Sequence, residues 1–327
     1  MRAMTDQISS DTIIHARGLK RSFRMRGGTV EAVKGIDLTV ERGRIVGFLG
    51  PNGAGKSTTL KMLVTLLQPT DGQATVVGCD LRTDPAGVRR KIGYVAQNGT
   101  TSPEAKVGLE LTSHAELYGI PRAEAKRRGE ELLGALDLDG IWGRTCGSLS
   151  GGQRRRLDIV MGLIHRPELV FLDEPSTGLD PQSRANLWKH IRGVRDNLGT
   201  TVFLTTHYMD EADSLSDNLL VIDHGTIVAE GTSAALKAKV SGDAMTLTLR
   251  RPEDAAGAEA VARAVQGAAN IQTDGNVLRF QAPNGAMVLP GLIRDLGSAG
   301  IDPIGAEMAR PTLEDVFLTL TGRSLRD

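Results

Sequence analysis

Gly50-Pro51-Asn52-Gly53-Ala54-Gly55-Lys56-Ser57-Thr58 is the stretch whose reading decides the fold of this 327-residue chain. The apolar run Ile45-Val46-Gly47-Phe48-Leu49 leads into it, and Leu60, Leu63, Leu66 and Leu67 follow near one helical face. The order is strand, glycine loop, helix. Glycines let backbone N–H groups close around phosphate oxygens, and the new helix points its positive end at the same anion. In Gly-x-x-x-x-Gly-Lys-Ser, Lys56 reaches the terminal phosphates and the Ser57 hydroxyl holds Mg2+. Gly50, Asn52, Gly53, Ala54, Gly55, Lys56, Ser57 and Thr58 are thus expected to cradle a nucleoside triphosphate.

The length suits one large or two ordinary domains, and two is the better expectation. Lys plus Arg equals Asp plus Glu at 39 each, so no global field recruits nucleic acid, and none is expected as a partner. Cys79 and Cys146 are too few for a disulfide scaffold and read as small packed side chains. No run approaches 18 apolar residues, and the first residues turn polar at once, with no signal core. The expectation is a cytoplasmic protein that meets a membrane only through a partner.

Along the chain, Ile13 to Leu19 and Ala32 to Val40 read as early strands around a turn at Arg24 to Gly28, with Phe23 ending the first. An aromatic there can stack on a base or fill the rim of a core, and the sequence leaves both open. Residues 104 to 138 are helical in pattern with a break near Tyr118 to Pro121, the texture of a surface subdomain. Leu169 to Asp173 and Thr201 to Thr206 are nearly continuous apolar or β-branched runs, as expected of strands covered on both faces. Leu219 to Gly231 reads as a hairpin around His224-Gly225. From about residue 240 lysine disappears and alanine dominates, and a β-α-β-β-α-β order suggests a small α+β ferredoxin-like unit. A last helix, Leu313 to Leu320, is capped by Thr312 with Asp315 at its third position.

Asp173-Glu174 places two acids at the carboxyl end of a buried strand, where open α/β sheets hold ligands. Asp173 is placed to orient Mg2+ and its water, and Glu174 to polarise the water that attacks the γ-phosphate. His207 ends another strand, where an imidazole can sense that phosphate. Gln97 offers an amide able to touch metal and water. Read singly, each of these two is more readily structural. Ser150-Gly151-Gly152-Gln153 opens a helix whose Leu157, Val160, Met161 and Ile164 share a stripe, with Ser150 as cap. A second anion cradle beside the one at residue 50 implies a nucleotide held between two subunits. Arg154 to Arg156 read more readily as an ordinary solvated face.

Taken together these residues resemble the nucleotide-binding subunit of an ATP-binding cassette (ABC) transporter over about residues 11 to 235. Leu149 to Gln153 matches that family's signature, Gln97 the Q-loop, Ser176 to Asp180 the D-loop, His207 the switch histidine and Phe23 the adenine-stacking aromatic. The chain is similar in particular to daunorubicin-resistance ATPases of ABC-2 exporters, through the closing stretch Pro311 to Gly322. It departs from them at Val107-Gly108-Leu109-Glu110-Leu111-Thr112, a region expected to face the permease. The resemblance implies a P-loop NTPase of the ABC ATPase kind, with a cassette over 11–236, a helical subdomain about 98–165 and an accessory domain over 240–327. It also implies ATP and Mg2+ as ligands, with Ser57, Gln97 and Asp173 toward the metal. Lys56, Glu174 and His207 are the implied catalytic groups. Phe23, Ser150, Gly151, Gly152, Gln153, Asp173 and Asp180 join the loop in holding nucleotide. The implied assembly is a head-to-tail homodimer on the cytoplasmic side of a separate polytopic permease, exporting a hydrophobic drug or antibiotic. Lipid or polysaccharide export is the alternative, and a soluble cassette acting on ribosomes or DNA is a more distant one.

Overall fold

The computed structural model describes residues 11–26, 28–240 and 242–322, in two units that part at Ser233/Ala234. The first unit begins with β1 (Thr12–Met25) and β2 (Gly28–Glu41), which pair antiparallel, and β3 (Ile45–Leu49), which enters the glycine loop. Then follow α1 (Lys56–Leu63), β4 (Asp71–Val76), β5 (Cys79–Asp80), α2 (Pro85–Lys91) and β6 (Ile92–Val95). Three longer helices, α3 (Val107–Glu116), α4 (Arg122–Ala135) and α5 (Gly151–Leu163), lead to β7 (Leu169–Asp173). The unit continues with α6 (Pro181–Leu198), β8 (Thr201–Thr206), α7 (Met209–Leu215), β9 (Asn218–Asp223) and β10 (Thr226–Gly231), and the short α8 (Ser233–Lys237) begins at the division between the units.

Two sheets result. One is antiparallel in the order β2-β1-β4-β5. The other runs β10-β9-β3-β8-β7-β6, five parallel strands with β10 antiparallel at its edge. Its central strands are buried along their whole length, which explains their unbroken apolar sequences. Side chains alternate between two cores. Phe48, Phe171 and Phe203 meet on one face, with ring centroids 5.5–5.6 Å apart, alongside Leu60 of α1 and Ile14 of β1. Leu172, Leu204 and Val95 point to the other, against α3, α4, α5 and α6.

Two boundaries differ from the sequence reading. Strand β1 does not stop at Phe23 but pairs on to Met25 opposite Gly28. The helix after the glycine loop ends at Leu63, because Thr65 takes a left-handed φ of 63° and the N–H groups of Leu66 and Leu67 fold back to the Lys61 carbonyl. Leu66 therefore lies exposed instead of continuing the apolar stripe. Elsewhere the reading holds: the break between α3 and α4, the β9–β10 hairpin and the buried stripe of α5 are all present.

The second unit contains β11 (Asp243–Leu249), α9 (Ala255–Ala264), β12 (Ala269–Asp274), β13 (Val277–Ala282), α10 (Gly285–Ser298), β14 (Pro303–Ala309) and α11 (Leu313–Thr321). Its sheet is antiparallel in the order β12-β13-β11-β14, the β-α-β-β-α-β arrangement expected from the sequence. Leu247, Leu278 and Phe280 pack with Ala258, Ala262, Leu292 and Leu296 of the two crossing helices. Thr312 and Asp315 form the expected reciprocal cap of α11.

Candidate active site

Four adjacent strands, β3, β8, β7 and β6, bring their carboxyl ends to one edge of the parallel sheet. The glycine loop follows β3, His207 follows β8, Asp173-Glu174 ends β7 and Gln97 lies two residues beyond β6. This is the edge at which such sheets bind ligands.

The loop needs its glycines. A Cβ on Gly50 would stand 2.3 Å from the Ile222 carbonyl oxygen, and one on Gly55, at φ 107°, 2.6 Å from that of Ala32. Among the described residues, the N–H groups of Gly53, Gly55, Lys56, Ser57 and Thr58 donate to no backbone carbonyl outside the helix ladder. They stand at the amino end of α1, where the helix dipole adds partial positive charge. That is the donor set a polyphosphate needs.

Lys56 is 4% exposed, and its Nζ donates to the carbonyls of Gly50 at 2.8 Å and Pro51 at 3.1 Å. It also stands 3.4 Å from Glu174 Oε1. Burial pushes the Lys56 pKa below its usual value, while the Glu174 and Asp173 carboxylates pull it back up.

Glu174 is the hub of the site. Gln97 Nε2 donates to its Oε2 at 3.0 Å and Thr177 Oγ1 at 3.2 Å. His207 Nδ1 stands 3.3 Å from the same oxygen, within ion-pair range, yet it has no aligned hydrogen bond. Asp173 Oδ1 accepts from Ser57 Oγ at 3.3 Å and from Thr205 Oγ1 at 2.7 Å. Asp173 and Ser57 form an all-oxygen pair suited to a hard cation.

The other expected residues lie outside this hydrogen-bonded cluster. Ser150 and Gln153 cap α5 reciprocally, at 3.1 and 3.2 Å, with Ser150 and Gly151 exposed. Gly152 faces Ser183 on α6, 3.2 Å from its hydroxyl to a Cβ built on the glycine. Asp180 caps α6 through Ser183. Phe23 is half-buried on β1, with the Arg21 guanidinium 4.7 Å above its ring.

One expectation is overturned. The three arginines after Gln153 are not a uniform solvated face, because Arg155 is buried, 7% exposed, and bonds three backbone carbonyls. Successive helical residues point about 100° apart, so a run of three arginines turns one of them inward. Sequence reasoning also missed Thr205, which sits opposite Asp173 in the parallel register and supports both acids, donating to Asp173 and accepting from the Glu174 N–H at 3.0 Å. Glu211 was missed as well. It is wholly buried, its Oε1 accepting from the Ser176 hydroxyl and from Trp188 Nε1, and burial pushes its pKa up. The Thr205-Thr206 pair closing the apolar run of β8 hinted at the first, and nothing local marked the second.

The family profile described as ABC transporter matches residues 33–177. The daunorubicin resistance ATP-binding protein DrrA3 of Streptomyces coeruleorubidus is 39% identical over 317 residues, covering 97% of this chain and 98% of that protein. The daunorubicin/doxorubicin resistance ATP-binding protein DrrA of Streptomyces peucetius is 40% identical over 300 residues, 90% of this chain and 89% of that one. Among solved structures, cbiO1 from Clostridium perfringens, part of the ABC transporter complex cbiONQ, superposes with a TM-score of 0.63 at 27% identity, covering 70% of this chain and 92% of that one. Identity of this degree, sustained along nearly the full length of both partners, means that the chain belongs to the ABC transporter ATP-binding proteins.

Proposed function

We propose that this protein is the ATP-hydrolysing subunit of an ABC-2 type exporter, coupling ATP turnover to efflux of a hydrophobic drug or antibiotic through a separate polytopic permease. The carrying observation is the Glu174 carboxylate, held at the mouth of the glycine loop by Lys56, Gln97 and Thr177. The drug-resistance names of relatives aligned over nearly the whole chain support the class of cargo. Among the described residues no helix is long and apolar enough to cross a membrane, in keeping with a channel supplied by another chain. Residues 11–236 form the ATP-binding domain in this reading, with 240–327 as an accessory domain.

In the cycle, the loop N–H groups and Lys56 grip the β- and γ-phosphates, and Phe23 stacks on adenine. Ser57, Asp173 and Gln97 are the residues that would hold Mg2+, which when bound neutralises charge on the phosphate oxygens. Glu174 accepts a hydrogen bond from the attacking water and draws its proton as the oxygen approaches phosphorus in line with the leaving ADP. His207, beside the same carboxylate, keeps that water and the γ-phosphate in register. The Ser150-Gly151-Gly152 end of α5, exposed at Ser150 and Gly151, serves the nucleotide of a second copy, which makes the assembly a head-to-tail homodimer with Asp180 at its seam.

Glu174→Gln tests this reading. The variant is expected to bind ATP, to accumulate as dimer in size-exclusion chromatography with ATP, and to lose turnover by roughly 10²- to 10⁴-fold. Unchanged turnover overturns the assignment. The same ATP-loaded variant, drawn from native membranes, is expected to bring one polytopic membrane protein with it. Recovery of ribosomal proteins alone would remove the export role.

A further inference from the structure

The Arg155 side chain, on the second turn of α5, spends its fork on three carbonyls from separate stretches of chain. Nη1 donates to Ala96 O at 2.6 Å, Nη2 to Asp173 O at 2.9 Å and Nε to Pro175 O at 2.9 Å. Asp158, one turn further along α5, stands 3.9 Å from Nη1 and balances the buried charge. Charge-assisted bonds from a planar guanidinium are stronger and more directional than neutral ones, and an ammonium does not reproduce their geometry.

What these carbonyls flank matters more than their number. Glu174 lies between Asp173 and Pro175 with a φ of 44°, a left-handed conformation that costs a non-glycine residue about 1–2 kcal/mol and persists only where its surroundings enforce it. Arg155 holds the Asp173–Glu174 peptide through Asp173 O and the carbonyl of Pro175, the residue that follows, and Thr205 holds the Glu174 N–H. The third carbonyl, Ala96, immediately precedes Gln97, whose amide bonds the Glu174 carboxylate. One side chain thus ties the strained peptide, the Gln97 segment and the helix that opens with Ser150.

We propose that Arg155 is a positioning residue for hydrolysis, fixing the Glu174 backbone and the Gln97 segment to α5 so that the carboxylate meets the water only when that helix is seated. The proposal rests on Glu174 acting as the base. Because Arg155 touches neither Lys56 nor the loop N–H groups, its loss acts on turnover and leaves nucleotide affinity in place.

The experiment compares full-length Arg155→Lys and Arg155→Met with wild type and Glu174→Gln. It measures kcat and KM for ATP, the affinity for a fluorescent ATP analogue, and the melting temperature. We expect kcat to fall roughly tenfold to a hundredfold in Arg155→Lys, the scale of a small misplacement of reacting groups, with analogue affinity within about twofold of wild type. Arg155→Met is expected to fall at least as far. Wild-type kcat in Arg155→Lys overturns the positioning role alone. So does a loss of kcat matched by equal losses in analogue binding and folded fraction, which is what a purely structural arginine would give. Full turnover in Glu174→Gln removes the base assignment, and the positioning role with it.

Discussion

At the scale of single residues, burial moves two ionisable groups near α5 in opposite directions. Asp158 is pushed up to about 6 by burial, against the pull of Arg155, and its Oδ1 has no hydrogen-bond partner among the described residues. His165 is pushed down to about 4 by burial, its Nε2 bonded to the Ile92 carbonyl at 2.8 Å and its ring stacked on Tyr118 at 3.9 Å. The folded state takes up the Asp158 proton before the unfolded chain does, so that contribution is present below the ordinary carboxyl value of 3.8 and is lost as pH rises through about 6. The His165 contribution is present above 6.5 and is lost as pH falls through about 4. Asp158→Asn should therefore gain stability relative to wild type as pH rises from 4 to 7, reaching on the order of 2 kcal/mol. His165→Phe should show its relative gain at the acid end. Thermal denaturation at pH 4, 5.5 and 7 checks both, and a difference that stays constant with pH refutes the assignment. The strand-end acids and the glycine loop were legible in the sequence because their chemistry needs particular residues at fixed local spacing. Arg155 was not, since the carbonyls it serves belong to segments 18 to 59 positions away.

Among the elements, α5 docks on β6 through glycine. A Cβ on Gly93 would stand 2.1 Å from the Gly162 carbonyl oxygen, and one on Gly162 2.9 Å from Val95 Cγ2. The helix carrying Ser150 and Arg155 is set at this height over the sheet by two missing side chains. Gly93→Ala is expected to destabilise the protein by roughly 1–3 kcal/mol, and more than Gly162→Ala, because backbone yields less readily than a side chain. Urea unfolding followed by circular dichroism measures this, and a neutral Gly93→Ala would mean that the helix can lift without penalty. Thr312→Ala removes one partner of the α11 cap and should cost about 1 kcal/mol in the same assay. The sequence declared caps and buried strands well, since both rest on local chemistry. It overran α1, because Leu66 and Leu67 keep the helical spacing while Thr65 reverses the backbone. Only the tertiary fit of that turn distinguishes the two outcomes.

On the scale of the whole molecule, each unit has its own buried core. Residues 1–236 expressed alone are expected to fold and to bind an ATP analogue within about threefold of the full chain, as titration would report, since a domain with its own core can fold independently. A truncated chain that fails to bind would place part of the nucleotide site beyond residue 236. The composition changes near 240 and the chain divides at Ser233/Ala234, whereas the strand order was not legible, because pairing partners lie far apart in sequence. That order has a consequence for synthesis. The strand bearing the glycine loop ends at Leu49, yet its two neighbours are Thr201–Thr206 and Asn218–Asp223. A ribosome adding about 5–20 residues per second needs roughly ten to thirty-five seconds to travel from the first to the last of these. During that interval the nascent loop has no sheet behind it and cannot hold a nucleotide. ATP is therefore expected to act as a late ligand in biogenesis, closing over a cassette already almost wholly translated.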